Sequence, residues 1–208
     1  MNIVYNGIEI LASSVEVFVL YKIYKEEDMS KKVLILSASP RKGGNSDTLC
    51  DEFLKGAQDA GNTGEKIFLK DKKINYCTGC GFCNTNNYTA CSQKDDMAEI
   101  LEKMIEADVI VMATPVYFYT MNAQLKTLID RCCARYTHIT NKDFYFIATA
   151  ADGRRQALER TFDGLRGFTA CLDNVREAGI IYGTGVWEKS DVQHTNLLKE
   201  AYVMGKNI

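Results

Sequence analysis

From Lys32 onward the hydrophobic pattern keeps changing its period. Short continuous apolar runs alternate with stripes spaced by three and four, and that alternation leaves few architectures open. Val33–Leu36 is an unbroken apolar run, as a parallel strand buried on both faces requires. Leu49, Phe53 and Ala57 follow at helical spacing and stop at Gly61. Glu65–Lys70 reads as a second strand, with Ile67 and Leu69 on one face. Met97, Ile100, Leu101, Met104 and Ile105 make a helical stripe, and Asp96 with Glu99 has the spacing of a capping box. Val109–Ala113 is the third strand, Leu125, Leu128, Ile129 and Cys132 the next helix, and Phe144–Thr149 the fourth strand. Leu158, Phe162, Leu165, Phe168, Leu172 and Val175 predict one long helix, in which Gly164 and Gly167 mark close packing or a kink. Ile180–Tyr182 is the fifth strand and His194–Lys206 the last helix. Strands alternating with helices call for an open parallel sheet, because right-handed crossovers send helices to both faces. The expected fold is therefore an α/β three-layer sandwich with a five-stranded parallel sheet, taken in the common order for such sheets, 2-1-3-4-5. Its ligand crevice lies at the carboxyl ends of strands 1 and 3. The two prolines, Pro40 and Pro115, are expected just past the ends of those same strands.

The 208 residues make one such domain, and 46% hydrophobic with 25% charged residues excludes disorder. With 25 basic and 27 acidic residues and no run of like charge, neither nucleic acid nor an anionic membrane is an expected partner. Residues 3–24 are apolar, but Asn6, Glu9, Glu16 and Lys22 interrupt them, so no membrane span is expected. No basic region precedes them, and the eight cysteines are not scattered as a disulfide framework. The expected location is the cytoplasm. Met29-Ser30-Lys31-Lys32-Val33 reads like a natural start running into the first strand, and the residues before it could encode a ribosome-binding site. One expectation is thus an N-terminal extension over 1–28 and the domain over 29–208; the other is a genuine N-terminal helix.

Two loops carry ligand chemistry. The first, 37–46, reads Ser-Ala-Ser-Pro-Arg-Lys-Gly-Gly-Asn-Ser and enters a helix. Its glycines let the backbone approach an anion, its hydroxyls, amide and helix end offer donors, and Arg41 supplies charge. It lacks the Gly-Lys-Ser/Thr ending of a triphosphate loop, the Gly-x-Gly-x-x-Gly of a dinucleotide fold, and a nucleophilic cysteine. A phosphomonoester fits it. The second, 114–121, reads Thr-Pro-Val-Tyr-Phe-Tyr-Thr-Met, aromatic where a loop should be polar. It suits either a flat wall for a planar ring or a face packed on a partner subunit. Across one crevice, the two loops point to a flat aromatic phosphate ester, and FMN fits.

These segments, SASPRKGGNSDTL and then ATPVYFYTMNAQLKTLIDR, resemble the flavodoxin-like NADPH-dependent FMN reductase and iron–sulfur flavoprotein superfamily from about Lys31 to the end. The resemblance implies that Ser39, Arg41, Asn45 and Ser46 hold the FMN phosphate, with Lys42 and Gly44 in the same cofactor-binding set. It implies that Pro115, Val116, Tyr117 and Phe118 line the isoalloxazine, and that Ala150, Ala151 and Asp152 flank it from a third side. Related reductases build flavin sites at subunit contacts, which implies a homodimer or homotetramer.

Cys77, Cys80, Cys83 and Cys91 form a C-x2-C-x2-C-x7-C motif. Four thiolates so close in sequence can ligate a [4Fe–4S] cluster or zinc, or remain free or redox-active thiols. The spacing resembles the compact motif of iron–sulfur flavoproteins, though seven residues before Cys91 is its loose end, which favours thiols and FMN as the one cofactor of aerobically purified protein. Cys50, Cys132, Cys133 and Cys171 lie on or beside apolar stripes, where packing is the expected role. The expected function is an FMN-dependent oxidoreductase passing electrons from NAD(P)H to an acceptor. The chemistry is borne by the flavin, so no catalytic side chain is expected. The alternative is a non-catalytic electron-transfer or redox-sensing flavoprotein with a cluster on the cysteine motif.

Overall fold

The computed structural model describes residues 2–5, 8–11 and 30–208. The chain divides into two compact units, residues 1–30 and 31–208. In the first, Asn2–Tyr5 and Ile8–Leu11 pair antiparallel, so these residues are strands where a helix was one expectation. The expectation about a start at Met29 falls outside the described residues.

In the second unit the apolar runs form β1 (Lys32–Ser37), β2 (Thr63–Phe68), β3 (Val109–Tyr117), β4 (Lys142–Thr149) and β5 (Val175–Gly183). They pair in parallel in the order β2-β1-β3-β4-β5, the flavodoxin-like arrangement. A sixth strand, Thr120–Met121, folds back antiparallel on the end of β3. The helices longer than one turn are α1 (Asn45–Asp59), α2 (Met97–Glu106), α3 (Ala123–Cys132), α4 (Gln156–Thr169) and α5 (Leu197–Lys206). Among the described residues no helix is long and apolar enough to cross a membrane.

Side chains alternate across a strand, and β1 shows why its run had to be apolar throughout. Leu34 and Leu36 join one core with Ile100, Leu125 and Phe162; Val33 and Ile35 join the other with Leu49, Phe53 and Ala201. In the second core α1 and α5 cross at backbone contact. A Cβ on Gly56 would lie 2.1 Å from the Tyr202 carbonyl oxygen, and one on Gly205 2.0 Å from that of Phe53.

Several local expectations are corrected. Pro115 lies inside β3, opposite Thr149 of β4. Its missing N–H is tolerated because β1 stops pairing with β3 at Ala113, which frees that edge. The segment 114–121 is accordingly strand and tight return, not an open loop. The long helix ends at Thr169; Leu172 is still buried beyond it, and Val175 opens β5. The apolar spacing runs on because both residues serve the same core. Gly164 marks close packing, since a Cβ there would meet Met121 Cε at 2.9 Å, but Gly167 faces open space. The capping box is absent. Asp96 is already helical in backbone and accepts from the Lys73 N–H, Glu99 pairs with Lys72 and Lys103, and Asp95 accepts from the Met97 N–H.

Candidate functional site

The turn after β1 is held from beneath by a residue that the motif reading passed over. Asp47, in the first turn of α1, is 1% exposed. Its carboxylate accepts from Ser37 Oγ at 2.7 Å, the Gly43 N–H at 2.8 Å and Lys66 Nζ at 2.9 Å. Burial pushes this carboxyl up, but Lys66, the Gly43 N–H and the Ser37 hydroxyl outweigh it and hold the group below its ordinary range. Gly43 sits at φ +66°, and the next residue is hemmed in. A Cβ on Gly44 would lie 2.8 Å from Ser39 Oγ and 2.9 Å from the Arg41 carbonyl oxygen. Ser39 Oγ donates to that same oxygen at 2.8 Å and accepts from the Arg41 N–H. Gly44 is the N-cap of α1 and has no side chain to cap with, so the helix end is left to an external acceptor.

Asn45 holds a second segment of the chain against the turn. Its amide donates to the Glu188 carbonyl at 2.8 Å and its oxygen accepts from the Val192 N–H at 3.2 Å. The side chain lashes the 186–192 segment to the turn, which leaves the backbone N–H for an anion. Arg41 is exposed and donates to the Trp187 carbonyl at 3.1 Å.

On the second wall, β3 runs out through Pro115 to Tyr117 and reverses over Phe118 and Tyr119. Both carry positive φ, 50° and 65°, as a two-residue return between twisted strands demands. Bulky aromatics pay a steric cost there that small turn residues avoid. Phe118 is fully exposed, and Tyr117 and Tyr119 half so. Buried Asn122 ties this wall to the first. It accepts from the Leu125 N–H to cap α3, bonds Thr114, and donates to the Ala38 carbonyl beneath the β1 turn.

The third wall follows β4. The Ala150 N–H donates to Gly183 and its carbonyl accepts from Val186, which pins the strand end. Asp152 takes the Arg154 N–H at 2.9 Å and its guanidinium at 3.0 and 2.7 Å. These hydrogen bonds draw the Asp152 carboxyl down to about 2.

The three walls enclose a crevice of about 380 Å³ at the carboxyl ends of the strands. Arg41 and Asn45 line it at one side, Pro115–Phe118 at the second and Ala150–Asp152 at the third. Ser39, Gly44 and Ser46 are buried within the turn and Lys42 is exposed, all off that lining. Val186 and Trp187 line it unforeseen. The chain's single tryptophan, 71% exposed, was the available signal.

The cysteine motif lines a separate crevice of about 340 Å³, with Cys133 and Arg131. Cys91 Sγ accepts from Arg131 Nη2 at 3.5 Å, and that buried guanidinium grips Asp95 at 2.7 and 3.0 Å. Cys80 Sγ lies 3.5 Å from Ser92 Oγ, whose hydrogen bond lowers the thiol. The four sulfurs share this crevice without being drawn to one point: among the described residues no three His, Cys, Asp or Glu side chains are gathered closely enough to hold a metal. Cys50 and Cys132 are packed in the cores as expected, and burial pushes both thiols up. Cys133 and Cys171 are exposed, against the packing expected of them.

The family model for NADPH-dependent FMN reductases matches residues 31–173, more than half of the chain. An iron-sulfur flavoprotein of Archaeoglobus fulgidus is 43% identical over 100 residues, covering 48% of this chain and 44% of that protein. One of Methanocaldococcus jannaschii is 45% identical over 100 residues, covering 48% and 51%. The chain spans about half the length of the curated relatives it matches. Among solved structures, an NAD(P)H:quinone oxidoreductase from Methanothermobacter marburgensis superposes with a TM-score of 0.62 at 20% identity, covering 86% of this chain and 96% of that one. An azoreductase from Bacillus anthracis gives 0.65 at 18%, covering 86% and 100%. At these identities the two structures show a shared fold.

Proposed function

The chain belongs to the NADPH-dependent FMN reductase family, and from that premise we propose that it is an FMN-dependent NAD(P)H oxidoreductase with its cofactor in the crevice between β1 and β3. One observation carries the reading. An uncapped helix end beside Arg41 faces an aromatic wall across a single crevice, which is the layout a phosphate joined to a planar ring requires. Bound FMN supplies two-electron exchange between a reduced nicotinamide and an acceptor, in the classes of quinone, nitro or azo compound, free flavin or protein.

The chain's own residues bind and orient. Arg41, Lys42 and the first-turn N–H groups of α1 offer charge and donors to the phosphate, while Ser39, Gly44, Asn45 and Ser46 shape the turn that presents them. Pro115, Val116, Tyr117 and Phe118 supply one face for the ring, and Ala150, Ala151 and Asp152 an edge. The Asp152–Arg154 pair fixes charge at the rim rather than holding a proton there, since the carboxyl stays ionised at neutral pH. Exposed Phe118, Tyr117 and Tyr119 favour a homodimer or homotetramer with copies meeting over the crevice, which light scattering of the flavin-loaded protein tests. The free thiols suit a reducing cytoplasm.

A second reading adds an iron–sulfur cluster on Cys77, Cys80, Cys83 and Cys91. Their common crevice favours it, although the loop must close further to bring four sulfurs to one centre. Iron and acid-labile sulfide in an anaerobic preparation decide it.

The flavin reading is tested by titrating flavin-free protein with FMN and with riboflavin, which lacks the phosphate. Arg41→Ala should weaken FMN by tenfold or more, since a hydrogen bond to a charged group contributes about 1.5–3 kcal/mol, and leave riboflavin unchanged. Equal losses for both ligands, or none for FMN, would overturn the phosphate assignment. NADPH should bleach the bound flavin in the absence of oxygen.

A further inference from the structure

Two cysteines from different parts of the fold approach within reach of reaction. Cys83 Sγ and Cys133 Sγ are 3.8 Å apart, across 50 residues of chain. A disulfide holds its sulfurs at about 2.05 Å, so closure needs a shift of roughly 1.8 Å. The cysteine loop can supply it. Cys83 lies on the one-turn helix Phe82–Thr85. Before it, Gly79 and Gly81 sit at φ +64° and +75° with open space where a Cβ would stand. The other side is an exposed thiol on a fixed element: Cys133 is the C-cap of α3. Its neighbour Cys132 is fully buried, with Sγ 3.9 Å from Met104 Sδ, so the thiol that packs and the thiol that is free are adjacent but distinct. Of the other motif sulfurs, Cys80 contacts Ser92 and Cys91 contacts Arg131.

We infer that Cys83 and Cys133 form a reversible disulfide that removes Cys83 from the cysteine motif and staples the 77–91 loop to the end of α3. The oxidant is a low-molecular-weight disulfide. One thiolate of the pair attacks one of its sulfurs, giving a mixed disulfide and releasing one small thiol. The other cysteine then attacks the protein-bound sulfur and expels the second small thiol. The protein pair loses two electrons and two protons, and the small disulfide gains them. Excess small thiol runs the same steps backwards. Because one of four motif thiols is consumed, the disulfide and a bound cluster exclude each other. That consequence rests on the cluster reading; the disulfide itself does not.

The test uses the full chain, metal-free and reduced, then exposed to glutathione disulfide, alkylated, digested without reductant and mapped by mass spectrometry. The expected product joins the Cys83 and Cys133 peptides, is lost in Cys133→Ser, and persists at wild-type yield in Cys77→Ser and Cys91→Ser. No cross-link, a Cys77–Cys80 link as the main product, or a cross-link surviving in Cys133→Ser at wild-type yield would overturn the inference. In a second arm, the cross-linked protein should take up about tenfold less iron and sulfide than the reduced protein, with dithiothreitol restoring uptake. Equal uptake by both forms would show that the pair does not gate the motif. Failure of both forms to bind iron, with the cross-link present, would reject the cluster reading and leave the dithiol pair standing.

Discussion

Replacing Asp47 with Asn keeps the shape of the side chain and removes its charge. Three donors converge on the native carboxylate, and an amide cannot satisfy them all. Its oxygen can keep the Gly43 N–H or the Ser37 hydroxyl, while its NH₂ must face a donor. Breaking one side of a buried ion pair costs about 3–5 kcal/mol. The partner here is Lys66, whose side chain is 19% exposed and retains a second contact to Asp51, so part of that penalty is relieved. The expected loss is about 2–3 kcal/mol, built from one charged hydrogen bond and a partly stranded ammonium. In urea, with a slope of about 2 kcal/mol per molar, the midpoint should fall by roughly 1 M.

The pH dependence gives an independent check. The native carboxyl is held below its unfolded value, so its contribution is present above the unfolded pKa of about 3.9 and is lost as pH falls through the folded pKa. Lys66 is held up by Asp51 and Asp47 against burial, so its contribution is lost only as pH rises beyond the ordinary lysine range. The gap between wild type and Asp47→Asn should therefore be flat from about pH 5 to 8 and narrow below about pH 4. An unchanged urea midpoint at neutral pH, or a gap that widens on acidification, would refute the role given to Asp47.

Two glycine changes should move stability in opposite directions. Gly205→Ala drives a methyl into the Phe53 carbonyl, and a cost of about 1–3 kcal/mol or more outweighs a helix-propensity gain of about 1 kcal/mol; an unchanged or higher Tm would contradict the close crossing of α1 and α5. Gly167→Ala meets nothing and should keep that gain of up to about 1 kcal/mol, so a lower Tm would contradict the open space at α4. Asn122→Ala uncaps α3 and strands the buried Ala38 carbonyl, for an expected loss of about 2–3 kcal/mol in denaturant unfolding; a loss under about 0.5 kcal/mol would show that it clamps nothing.

What the sequence made legible is what neighbours in the chain decide. Val33–Leu36 had to be apolar at every position because Val33 and Ile35 face one core and Leu34 and Leu36 the other. Repeated around each crossover, that constraint yields a parallel sheet with helices on both faces. Where the apolar period served a core without serving an element, it misled: Leu172 and Val175 continue the stripe of α4 after the helix has ended. Pro115 misled for the opposite reason. Proline opposes strands only where its N–H is needed, and β1 has already stopped pairing there.

The site divides along the same line. Glycines, arginine and a helix entry announce an anion-binding turn because they act within a few residues of each other. The groups that make the turn rigid do not announce themselves. Asp47 is one acid among many until Lys66 of β2 is brought beneath it, and nothing near Asn45 in the chain announces the bond its amide makes to Glu188, 143 residues on. Cys133 is the same case for the second crevice, read as packing because Cys132 beside it does pack. Both crevices thus combine a local motif, visible in sequence, with a distant side chain that acquires its role only when the sheet closes. It is at the side chains that receive those distant partners, Asp47 beneath the first turn and Cys133 beside the second crevice, that a substitution separates the architecture of each site from its ligands.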